Sequence, residues 1–309
     1  MALSLPTEIK LQILRTAADV FINRNRRMVL DIALTSHVVY RIVAPVLHHT
    51  LVVNNNNWYA VQKILRDEGS ASRVCPLVQH LIIDSEWQLQ PERDVSMSFP
   101  YFTSLRRMTG HLSHDYVAAE MLYIHRWTNL TMLECWDMST DDILTLLPHI
   151  PPTVTHFVHP AWIYCDNDIA QLDSWLANNG QHLTHFGFDV IAGVHEIEWS
   201  STDLTNLACA SRRVLNLCPQ LQQLILHLVG RYQDAYDWTS YGTALANIDS
   251  RIVLLQDQRP AVCSWYAMKR GHPDLNMVTD DPSVYCTFAE ARLGRTIWDL
   301  LPATSANEP

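Results

Sequence analysis

Val154-Thr155-His156-Phe157 and Leu183-Thr184-His185-Phe186 are two copies of one short unit, apolar-x-x-apolar, that recurs along most of the chain. Its other copies are Val78-Gln79-His80-Leu81, Leu105-Arg106-Arg107-Met108, Leu130-Thr131-Met132-Leu133 and Leu221-Gln222-Gln223-Leu224. A further copy is suggested at Arg251-Ile252-Val253-Leu254-Leu255. Several copies carry another apolar residue two positions on, as Ile83, Phe188 and Leu226 do, which is the period of a strand. Counted at the second apolar position, the six units lie 27, 25, 24, 29 and 38 residues apart. A near-constant spacing of this size is the mark of one supersecondary unit per repeat.

Between the strand-like units stand helix signals. Ser139-Thr140-Asp141-Asp142 can cap a helix over Ile143–Leu147 that must stop before Pro151-Pro152. Asp166-Asn167-Asp168 precedes Ile169–Leu176, which ends at Asn178-Asn179-Gly180, and Ser200-Ser201-Thr202-Asp203 precedes Leu204–Leu217. Strands alternating with helices through short connectors imply right-handed crossovers and a mostly parallel sheet. No unit covers its own apolar face, so neighbours must stack. The expected class is α/β, an irregular solenoid over residues 75–301 with a curved, mostly parallel sheet on its inner face. Residues 302–309 are expected to form a flexible tail.

Upstream, three helices are expected. The first runs from Pro6 to about Ile22, with Pro6 at the first helical position and Glu8 in the first turn. Leu5, Ile9 and Ile13 recur every four residues with Leu14 beside them, opposite Lys10, Gln12 and Arg15. The second helix lies around Met28–Leu34. The third, around His37–Ala44, should end near Pro45, because proline disfavours helix at the residue before it. Leu51-Val52-Val53 reads as a short strand, Asn54 to Asn57 as a turn, and Trp58–Asp67 as a helix that Gly69 stops. The expected division is a module over 1–53, a linker helix over 54–74 and the repeats over 75–301.

Leu5-Pro6-x-Glu8-Ile9-x-x-x-Ile13-Leu14 resembles the opening of an F-box. Leu30-x-x-Ala33-Leu34-Thr35-Ser36-His37 resembles its middle helix, and Tyr40 to Val52 resembles the last helix and exit strand seen in many fungal F-box proteins. The repeats resemble the degenerate leucine-rich repeats that follow F-boxes in many receptors. The resemblance implies a non-catalytic substrate-recognition subunit of an SCF-type cullin–RING E3 ubiquitin ligase. In such a subunit the F-box docks a Skp-family adaptor, and through it a cullin, with Leu5, Pro6, Ile9, Ile13 and Leu14 as the adaptor contacts. The repeat domain would hold the protein substrate. The residues by themselves leave a second reading open, an interaction scaffold whose three helices only cap the solenoid.

Composition bounds the alternatives. Of 309 residues, 48% are hydrophobic and 17% charged, enough for a sizeable core and too apolar for a disordered chain. A net charge of −10 provides no basic field for nucleic acid. The basic cluster Arg24, Arg26 and Arg27 reads as a solvated loop. Seven cysteines form no C-x-x-C pair, which predicts reduced thiols in a cytoplasmic or nuclear protein. The amino-terminal residues lack a basic region followed by an apolar core, and no apolar run nears the ~20 residues that span a bilayer, so neither secretion nor a membrane is expected.

Candidate chemistry is sparse. His111/His114, His156/His159 and His182/His185 are the tightest histidine pairs. The latter two are expected on strands, where residues three apart face opposite ways, which opposes a shared metal. No Gly-x-Ser-x-Gly, phosphate loop or His-Glu-x-x-His is present, and Asp141-Asp142 and Asp280-Asp281 read as a cap and a turn. No catalytic residue, metal or cofactor is expected. Trp87, Trp136 and Trp162 each follow a repeat strand, with Asp84 and Glu86, Glu134 and Asp137, and Asp166 and Asp168 nearby. Two readings stand side by side. Each tryptophan plugs its own repeat, or the three line an acidic, aromatic edge that grips a basic substrate, with Trp87, Trp136, Trp162, Glu86 and Asp137 as contacts.

Overall fold

Capping chemistry lays out the first fifty residues. Helix α1 (Thr7–Phe21) follows Pro6, which sits at the N-cap rather than inside the first turn. Helix α2 (Arg26–Ala33) is capped by Asn25, whose side chain accepts from the Met28 N–H at 3.1 Å. Helix α3 (His37–Leu47) is capped by Ser36, which accepts from the Val39 N–H at 3.2 Å. The computed structural model describes residues 5–22, 25–54, 57–84, 101–111, 127–136, 146–159, 166–191, 201–229, 243–256 and 298. The expectation that α3 ends at Pro45 fails, for the helix runs through it to Leu47. An interior proline costs about 3 kcal/mol. Burial of Val43, Val46 and Leu47 in the same turns offsets it at ~1.5–3 kcal/mol each. These three join Ala18, Val29, Ala33 and Val39 in a core of the three helices' own.

Eight strands follow: β1 (Thr50–Asn54), β2 (His80–Asp84), β3 (Arg107–His111), β4 (Met132–Trp136), β5 (His156–His159), β6 (His185–Ile191), β7 (Gln223–Val229) and β8 (Ile252–Gln256). They form one sheet in which order in space equals order in sequence and every pair is parallel. The chain is therefore α/β with an open parallel sheet. Leu51, Leu81, Met108, Leu133, Phe157, Phe186, Leu224 and Ile252 stand side by side across all eight strands. The second apolar position of each sequence repeat is thus one continuous row. The row gains a member at each end, β8 from the copy suggested at Arg251–Leu255 and β1 from a strand that the repeat pattern misses. The pattern fails at β1 because His48 stands three residues before Leu51, where the six repeat copies have an apolar residue.

The row packs against α4 (Trp58–Arg66), α6 (Asp166–Asn179) and α7 (Ser201–Leu217), through Val61, Leu65, Leu176, Val214 and Leu215 among others. Trp175 of α6 meets Phe157 edge to face at 5.4 Å and donates its indole N–H to the Leu147 carbonyl at 2.7 Å. The expected linker helix is two helices. Asp67, with extended backbone, ends α4, and its carboxylate accepts from the Ser70 N–H at 2.9 Å to start α5 (Glu68–Val74). Gly69 therefore lies inside α5 and does not stop α4. Val53, Val61, Leu65 and Ala71 all belong to the sheet's core, so the strand and helices at 50–74 are part of the sheet unit. The helix expected over Ile143–Leu147 lies mostly outside the described residues, and Leu147–His149 forms a 3-10 turn ahead of Pro151.

Glycine at 180 answers a need for space. A Cβ there would meet Cys218 Sγ at 2.7 Å and the Leu217 carbonyl oxygen at 2.8 Å, so the end of α6 crosses the end of α7 at backbone contact. Among the described residues, no helix is long and apolar enough to cross a membrane.

Candidate functional site

Helix α1 is apolar on two opposite faces. At about 100° per residue, Leu11, Leu14, Ala18, Phe21 and Ile22 share one side and pack into the three-helix core. Leu5 stands just ahead of the helix, and Ile9, Ile13 and Val20 fall within about 40° of one another on the other side. They are exposed at 52%, 44%, 52% and 54%. Leu34, at the end of α2, is exposed at 71%, and Val38, in the first turn of α3, at 55%. Of the two apolar faces of α1, only one is covered by the module's own helices. Of the adaptor contacts expected from sequence, Leu5, Pro6, Ile9 and Ile13 lie exposed. Leu14 does not, since it is partly buried against the three-helix core.

The second feature lies on the sheet face turned away from the helices, which residues flanking the anchor row occupy by strand alternation. His80 Nε2 of β2 is 3.1 Å from Thr109 Oγ1 of β3, and that hydroxyl donates to Glu134 Oε2 of β4 at 3.1 Å. All three side chains are buried. Burial first, then Arg107 and His49, push the His80 pKa down to about 3, so the ring is neutral at pH 7. Glu134, which one of the two sequence readings sets on an acidic edge, is held inside this chain of hydrogen bonds.

On β5 and β6, His156 and His185 are register neighbours with rings stacked 4.1 Å apart and 7° from parallel. Their Nδ1 atoms each lie 2.9 Å from the hydroxyl of the preceding threonine, Thr155 or Thr184. Those hydroxyls donate to the carbonyls of Thr131 (3.3 Å) and Thr155 (3.2 Å), one strand back. With each hydroxyl proton committed, Nδ1–H is the donor to the threonine and Nε2 the acceptor in the neutral ring. Burial lowers the His185 pKa. Trp298 closes the group, edge-on to both rings at 5.8 and 5.2 Å, with Cη2 3.5 Å from where a Cβ on Gly187 would stand. Sequence reasoning paired His156 with His159 and His185 with His182, and did not bring His156 and His185 together. The available signal was Thr-His-apolar at one position of two successive repeats.

Other expectations land elsewhere. His182 belongs to the 3-10 turn Gly180–His182, not to a strand, so the argument about opposite strand faces does not apply to His182/His185. Trp87, Trp162, Glu86 and Asp137 lie outside the described residues, and Trp136 ends β4 with its side chain outside them. Burial raises the Cys75 thiol to about 12 and the Cys218 thiol to about 11, which keeps both protonated and poorly nucleophilic. No group of three or more histidine, cysteine or acidic side chains suited to a metal occurs among the described residues. No protein-family model matches the chain. No curated protein matches it either.

Proposed function

We propose that this chain is the substrate-recognition subunit of an SCF-type cullin–RING E3 ubiquitin ligase, acting in the cytoplasm or nucleus. Its three helices are an F-box that docks a Skp-family adaptor and, through it, a cullin. The parallel sheet and its helices are a degenerate leucine-rich-repeat solenoid that holds the protein substrate. The subunit performs no bond chemistry; it raises the effective concentration of a substrate lysine near the ubiquitin-loaded enzyme.

The observation that supports this reading is the exposure of Ile9 and Ile13 on a helix whose opposite face already fills the module's own core. Burying such a side chain is worth ~1.5–3 kcal/mol, and a partner's groove would collect that energy. The scaffold alternative needs this face sealed against the repeats, and its exposure weighs against a mere cap. The docking set under this reading is Leu5, Pro6, Ile9 and Ile13, extended by Val20, with Leu14 assigned to the module's core.

Pro6→Ala combined with Ile9→Asp should abolish co-purification of the adaptor from cells. Because both residues are exposed, circular dichroism and the melting temperature of the isolated protein should stay at wild-type values. Retention of the adaptor by the well-folded double variant refutes the F-box assignment.

A further inference from the structure

We propose that His156, His185 and Gly187 form a slot for an aromatic side chain, and that Trp298 fills this slot in cis. This deepens the receptor reading, on which the choice of a client protein's aromatic residue as the trans ligand rests.

The slot is bounded by the stacked imidazole pair and by Gly187. The stacked imidazoles present their ring system to an indole that stands 67–68° from them, an edge-to-face arrangement favoured by the ring quadrupoles. Gly187, one row along on β6, has no side chain, and the far edge of the indole lies where a larger residue's side chain would project. The threonine hydroxyls fix the imidazole planes through Nδ1, so the walls are set before any ligand arrives. The orientation leaves the His185 Nε2 as an acceptor for a donor carried by an aromatic ligand.

Trp298 is an imperfect occupant. Its Nε1–H is buried and has no hydrogen-bond partner among the described residues. An indole that gives up water for nothing loses part of what its ring gains. The residue as a whole is only partly buried. It lies 42 residues beyond the last described strand in sequence, and an external ligand for the slot must compete with it. A client tryptophan or tyrosine that places its donor on an acceptor would displace it.

The test uses the full chain and N-acetyl-tryptophanamide as the probe, with N-acetyl-leucinamide as the control. Binding is read from the imidazole resonances of His156 and His185. Trp298→Ala should bind the probe at least about tenfold more tightly than wild type, ~1.4 kcal/mol of relieved competition. The control should bind neither protein, and Trp298→Ala with His185→Ala should lose the probe. Equal probe affinity in wild type and a folded Trp298→Ala variant, or equal affinity for the control, overturns the proposal. Should Trp298→Ala fail to fold, Trp298→Leu decides. It keeps apolar bulk but no ring, so probe affinity should rise above wild type, and an unchanged or lower affinity overturns the proposal. The adaptor pull-down and this titration fail independently, because the probe binds without an adaptor and the adaptor binds without the slot.

Discussion

Acidification from pH 7 to pH 5 should destabilise this protein by about 2 kcal/mol through His80 alone. The ring lies on β2 with 2% of its surface exposed, hydrogen-bonded to Thr109, which in turn donates to Glu134. Its pKa falls from 6.5 to about 3, chiefly because burial penalises the cation and secondarily because Arg107 and His49 face it. The unfolded ring takes up a proton near pH 6.5 and the folded ring does not until about pH 3. The stability conferred by the neutral ring is therefore fully present above pH 6.5 and is lost as the pH falls through that window. The limiting slope is ~1.4 kcal/mol per pH unit, and integrating the unfolded ring's protonation from pH 7 to pH 5 leaves about 2 kcal/mol. The assay is urea denaturation at pH 7, 6 and 5, on wild type and on His80→Gln, whose amide cannot titrate and can still reach Thr109. His48, His49 and His185 also have lowered pKa values and destabilise in the same direction, but they are common to both proteins. The difference between the two pH profiles therefore isolates His80. Identical profiles, or a wild-type stability that rises toward pH 5, would refute the reasoning.

Two further pairs of substitutions test the packing. Gly180→Ala should lower stability by ~1–3 kcal/mol, since the added carbon meets the Leu217 backbone and Cys218 Sγ, both set by α7. Gly69→Ala should raise it by ~0.5–1 kcal/mol, because Gly69 lies in α5 and the nearest atom is Asp67 Oδ2 at 3.8 Å; thermal melts that reverse this order contradict the assigned geometry. Phe157→Ala, in the centre of the anchor row, should cost ~3–5 kcal/mol, whereas Ile13→Ala in the isolated protein should stay within ~0.5 kcal/mol of wild type. A comparable loss for both by urea titration would mean that the α1 stripe is enclosed after all.

The parallel sheet is legible in the sequence because one apolar position per repeat must meet the same row of helices. Leu81, Met108, Leu133, Phe157, Phe186 and Leu224 keep that position even where the interval stretches to 38 residues. What escapes is of three kinds. Local propensity misleads where tertiary burial outweighs it, as at Pro45 inside α3, and where a carboxylate restarts a helix, as Asp67 does ahead of Gly69. The strand at Leu51–Val53 is readable, but its place in the repeat row escapes because a histidine occupies the repeat's first apolar position. The open-face groups escape because they exist only through register. Thr109 and Glu134 are 25 residues apart in the chain, and nothing local to either announces the other. Of the exposed α1 stripe, the spacing of Ile9 and Ile13 is readable, and so, at about 100° per residue, is the placement of Leu14 on the other side, which grouping it with them overlooked.

A sheet laid down in chain order has a consequence for synthesis. Each strand from β2 onward finds its neighbour already made, so pairing can proceed from the ribosome outward without waiting for distant segments. Besides the outer edge of β1, the growing sheet at every stage ends in an unmatched edge that the next strand covers, and that edge is the place where a stalled nascent chain would recruit a foreign strand.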